Sequence, residues 1–145
     1  MDGPSVVIVE PHGDTRELYA EYLQMRGFIV VAVEMPLYAL AHTKNADAIV
    51  TGLAIPAITD GIRFITQIRK NNAAHTPILV VTAHAFEADR QQALAAGADV
   101  FLAKPCMPDV LARELRRVIT RTRARKRSAS APRRSGVRTR AVVKP

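Results

Sequence analysis

Four apolar runs end on positions where a chain displays reactive groups. SVVIVE (5–10) ends on Glu10 and runs into Pro11 and His12; PILVVT (77–82) ends on Thr82, with His84 two residues on; DVFLAK (99–104) ends on Lys104, followed by Pro105 and Cys106. The fourth, DAIVTG (47–52), ends on Gly52, which offers neither a nucleophile nor a ligand. A carboxylate with two imidazoles could hold a transition metal. Glu10, His12 and His84 nevertheless fall on separate stretches with no i,i+4 spacing to orient them, and isolated loop histidines are the simpler reading. A cation beside Cys106 could activate its thiol, although a small loop residue explains it as well. Thr51 and Asp60 are further oxygen groups. Strand neighbours face opposite sides, so Thr51 points away from the side Gly52 serves, and Asp60 reads as the cap of the next helix. The chain has no Gly-rich phosphate loop, zinc spacing or Ser-His-Asp order, so nothing in it argues for an enzyme.

These ends need elements to position them. The run 5–10, bounded by Pro4 and Pro11, has the β-branched density of a strand buried on both faces. A helix follows, with Asp14 and Glu17 spaced as a capping box, Leu18, Tyr22 and Met25 at helical intervals, and Gly27 as its stop. FIVVAV (28–33) is a second strand, and Leu37, Leu40 and Ala41 suit a short helix after Pro36. The third strand is 47–52; Ile62, Ile65 and Ile68 then line one helix face. The fourth strand, 77–82, precedes an alanine-rich helix over 86–96 that ends at Gly97. The fifth, 99–104, precedes a helix beginning near Asp109 with Leu111, Leu115, Val118 and Ile119 as its stripe. Five βα units in succession imply an α/β fold with a parallel sheet covered on both faces, and such sheets bind ligands at the carboxyl ends of their strands.

Those ends, read in order, resemble the receiver domain of bacterial response regulators. The resemblance rests on IVE, RELY, DAIV, Pro56, Asp60-Gly61, ILVVTAH and above all AGADVFLAKP, and covers residues 4–121. It implies a flavodoxin-like doubly wound sheet of strand order 2-1-3-4-5. It also implies phosphoryl transfer from a histidine kinase to an aspartate at the end of the third strand, with an acidic pair holding magnesium. A carboxylate suits the acyl phosphate, magnesium prefers oxygen ligands in octahedral array, and lysine and metal neutralise the phosphoryl oxygens. By resemblance, Thr82 is the hydroxyl residue, Lys104 the lysine, Phe101 the switch aromatic and Glu10 the first of the acidic pair. The second acidic position is Pro11 and the acceptor position is Gly52. Counting from Asp47 and from Pro56 gives the same place, with about one extra residue between Pro56 and Asp60-Gly61. The expectation is a degenerate receiver with no magnesium cofactor, in which Lys104 either pairs with Glu10 or points to solvent. It would act by binding a kinase, a regulator or itself through the face of the fourth helix, fifth strand and fifth helix.

Charge divides the chain. Residues 1–115 hold nine Lys/Arg against thirteen Asp/Glu, a net of −4, whereas 116–145 hold twelve Lys/Arg and no acid. Arg116 and Arg117 suit a helix C-terminus. Arg121, Arg123, Arg125, Lys126, Arg127, Arg133 and Arg134 are candidates for binding a polyanion, with Arg138, Arg140 and Lys144 beyond them. Residues 122–145, low in large hydrophobics, read as a basic disordered tail. That tail is either a solubilising segment or a sequence-independent nucleic-acid contact, whose log–log salt slope would be near −5 if about six charges engage a duplex. A single cysteine and no basic, apolar N-terminal leader fit a cytoplasmic protein without a membrane role.

Overall fold

The β-branched runs form a five-stranded parallel sheet of order β2-β1-β3-β4-β5 in the computed structural model, which describes residues 3–71 and 75–130. The strands are β1 (Ser5–Val9), β2 (Ile29–Val33), β3 (Ala48–Thr51), β4 (Ile78–Thr82) and β5 (Val100–Ala103). Between and after them run α1 (Gly13–Met25), α2 (Pro36–Ala39), α3 (Ile58–Lys70), α4 (Glu87–Ala96) and α5 (Pro108–Ser130), with a 3-10 turn at Thr43–Asn45. Alternate residues of the central strands enter two separate cores, as the period of two requires. Val6, Ile8 and Val50 pack with Leu23 and with Leu111, Leu115 and Ile119 of α5. Val7, Val9 and Ile49 pack on the other face with Phe64, Ile65 and Ile68 of α3.

The expected sheet order and the α3 and α5 stripes are present; several local expectations are not. The buried face of α1 is Tyr19 and Leu23, while Leu18 and Met25 are exposed. Helix α1 begins at Gly13 with His12 as its cap residue, so Asp14 lies inside the first turn and makes no capping box. Asp60 is three residues past the cap Ala57, whose backbone N–H donates to its carboxylate at 2.9 Å. It therefore supplies the return half of a capping box rather than the cap itself. The expected domain limit at 121 is also not a structural boundary, because α5 continues to Ser130. Arginine, lysine and alanine are good helix formers, and TRTRARKRSAS contains no glycine or proline to stop the helix. The first proline after it is Pro132. Arg133, Arg134 and the remaining basic residues up to Lys144 lie outside the described residues.

Candidate functional site

The carboxyl ends of β1, β3, β4 and β5 enclose a cleft of about 80 Å³. Glu10, Pro11, His12, Gly52, Thr82, His84 and Lys104 line it together with small apolar side chains. The sheet ladder fixes three of these residues one step past their strands. Glu10 N–H donates to Val33 O at 3.0 Å, Gly52 N–H to Val9 O at 3.2 Å and Lys104 N–H to Thr82 O at 2.9 Å. The sequence therefore brings together every residue assigned to the pocket from its position in a strand.

Glu10 is the one carboxylate in the lining, and its side chain is only 4% exposed. Both of its oxygens are engaged. Lys104 Nζ lies 2.9 Å from Oε1, and His12 presents its backbone N–H at 3.0 Å and its Nδ1 at 3.1 Å to Oε2. Burial pushes the Glu10 carboxyl up, but the Lys104 and His12 hydrogen bonds together outweigh it and hold it below its usual value. Thr82 is buried, and its hydroxyl oxygen accepts the His84 backbone N–H at 3.0 Å. Thr51 turns away from the cleft, and its hydroxyl donates to Gly52 O at 2.9 Å. Phe101 pairs with Val80 in the ladder and is half-buried against the α3-side core.

Gly52 is not required by the backbone. A Cβ placed there would meet Ile55 Cγ2 and Val81 O at 3.8 Å, ordinary contact distances. A side chain fits at Gly52; this sequence supplies none. Pro11 beside it is exposed and brings no oxygen ligand of its own side chain.

Two positioning residues had no sequence signal. Arg16 on α1 donates to Glu10 O at 2.8 Å and to Pro11 O at 3.3 Å, fixing the turn after β1; from sequence it reads as a solvated helix charge. The Tyr19 hydroxyl donates to Cys106 O at 2.8 Å, tying the β5–α5 loop to α1 across 87 positions of sequence. Burial leads the causes that raise the Tyr19 phenol to about 12, with the Cys106 and Glu10 charges adding to it. Burial likewise pushes the Cys106 thiol up, the opposite of an activated cysteine.

The response regulator receiver domain profile matches residues 6–116. The chain is 34% identical over 127 residues to the transcriptional regulatory protein ResD of Bacillus subtilis, covering 86% of this chain and 49% of that protein. It is 29% identical over 125 residues to the phosphate regulon transcriptional regulatory protein PhoB of Pseudomonas aeruginosa, covering 84% and 54%. The chain thus spans about half the length of these curated relatives. Among solved structures, the receiver domain of a Pseudomonas aeruginosa sensor histidine kinase, with magnesium in its active-site cleft, is similar at TM-score 0.72 and 30% identity. That likeness covers 81% of this chain and 98% of the other. The chemotaxis response regulator CheY4 of Vibrio cholerae matches at TM-score 0.73 and 28% identity, over 80% and 98%. Fold, strand order and sequence match thus agree that the chain belongs to the response regulator receiver domain family of two-component signalling.

Proposed function

We propose that this receiver works without phosphorylation, as a binding module whose conformation is held by its own side chains. The observation that carries the reading is the pairing at the cleft floor. The position that would present the acceptor carboxylate is Gly52, and Lys104 is engaged instead with Glu10 at 2.9 Å. Phosphoryl transfer to protein needs a nucleophilic oxygen, and the side chain of glycine has none. Magnesium needs several oxygen ligands in near-octahedral array. The cleft offers one carboxylate whose two oxygens already serve a lysine and a histidine, so the residues present do not fit that ion. The module is therefore read as a non-enzyme that signals by protein contact with a kinase, a regulator or a second copy. The face of α4, β5 and α5, next to Phe101, is the surface we assign to that contact.

The test is intact mass spectrometry of the full chain after incubation with acetyl phosphate and magnesium. The expected result is no added phosphoryl group; stoichiometric addition of one would overturn the reading. Because the site accepts a Cβ, Gly52→Asp should fold. Alone it should label poorly, since the second acidic ligand is still missing at Pro11. Gly52→Asp combined with Pro11→Asp should label several-fold more. Equal labelling of the two variants would contradict the metal argument.

A further inference from the structure

At the amino-terminal end of the sheet, opposite the cleft, the helical extension of α5 overhangs the starts of β4 and β5. Two adjoining hollows of about 390 and 100 Å³ lie beneath it. They share Asp99, Thr122 and Arg125, so they form one furrow. Its α5 wall carries Arg117, Arg121, Arg125 and Lys126. Arg117, Arg121 and Arg125 are four residues apart and therefore share a helix face, stepping about 6 Å along the axis. The acid in the furrow is Asp99, already engaged by Arg69 at 2.8 Å. Arg117 pairs with Glu114. Arg121, Arg125 and Lys126 are exposed and have no ion-pair partner among the described residues. Arg123 reaches Asp47, just before β3, at 3.3 Å and holds the extension against the sheet end.

We propose that this furrow is an interface for the phosphate backbone of duplex nucleic acid, with Arg121, Arg125 and Lys126 as its main contacts. The cluster is built largely of arginine, whose planar fork matches phosphate oxygens. A duplex carries a charge every ~1.7 Å of axis, a density that a row of cations stepping ~6 Å is suited to attract. From Thr120 to Ser130 the extension has no large apolar residue, which removes the anchor a membrane-surface helix needs. Contacts to phosphate carry no base information, so binding through them is independent of base sequence. The interface is separate from the cleft and does not depend on how the cleft works.

The experiment is fluorescence anisotropy of a short labelled duplex titrated with the full chain across a salt series. One variant is Arg121→Gln/Arg125→Gln/Lys126→Gln. A matched variant, Arg133→Gln/Arg134→Gln/Arg138→Gln, removes equal charge from positions beyond the described residues. Circular dichroism checks that both keep their helix. The furrow variant is expected to bind at least about tenfold more weakly at ~0.1 M salt, with a log–log slope smaller by about 3. The matched variant should lose clearly less. The proposal is overturned if the full chain does not bind duplex at low salt, or if the two variants lose affinity equally. It is also overturned if polyglutamate competes as well as unlabelled duplex, because the partner would then be an acidic protein.

Discussion

At the scale of single residues, the cleft turns on the pairing of one lysine with one buried carboxylate. Lys104 crosses the cleft to Glu10, a carboxylate buried to 4% exposure. Removing either partner strands the other, and the loss is larger when the stranded group is the buried one. Lys104→Met should therefore cost about 1–3 kcal/mol in urea unfolding, and Glu10→Gln less. A double-mutant cycle should give a favourable coupling between them. The acid dependence follows from the carboxyl sitting below its usual value. Stability from a depressed carboxylate is present above the unfolded value of about 4.3 and is lost as pH falls through the folded one. The stability gap between the parent chain and Glu10→Gln should thus be steady near neutral pH and shrink below about pH 4. A gap that stays constant down to pH 3 would mean that the pair contributes nothing to folding.

At the scale of elements, Gly61 sets how closely α3 approaches the cleft. A Cβ there would run into the backbone of Leu53, the residue after Gly52, so α3 seats directly on the loop leaving β3. Gly61→Ala should cost about 1–3 kcal/mol by overpacking, whereas Gly13→Ala, whose nearest neighbour is the Arg16 guanidinium at 3.7 Å, should be close to neutral. Equal melting temperatures for the two variants would contradict the seating. The strands were legible because buried parallel strands read as continuous β-branched runs; that legibility also placed Glu10, Gly52, Thr82 and Lys104 at one end. Helix faces were less legible. On α1 the exposed Leu18 and Met25 share the hydrophobic character of the buried Tyr19 and Leu23, so of the three residues periodicity picked only Tyr22 packs against the core. The extension of α5 was missed because its composition suits both a tail and a helix; what decides is contact with the sheet end, such as Arg123 with Asp47. Arg16 and Tyr19 act on backbone carbonyls, which leave no trace in side-chain pattern.

At the scale of the molecule, the chain separates two surfaces along the strand direction. The carboxyl ends hold the cleft, and the amino ends hold the basic furrow, with four- to five-residue strands between them. Charge divides the sequence rather than the two ends of the sheet: all thirteen acids lie before residue 116, and twelve of the twenty-one basic residues lie after residue 115. The net charge of −4 over residues 1–115 disfavours contact of that segment with polyanions, and in the proposed interface the α5 extension would supply the attraction. Among the described residues, no helix is long and apolar enough to cross a membrane. On the reading proposed above, the cleft carries no chemical switch, and the signal would lie in which partners the receiver holds. The most direct measurement is the amide proton–nitrogen correlation spectrum of the labelled full chain, recorded with and without acetyl phosphate and magnesium. Superimposable spectra are predicted, with the signals of Thr82, Phe101 and Lys104 unmoved. Saturable shifts at those residues would contradict a phosphorylation-independent receiver.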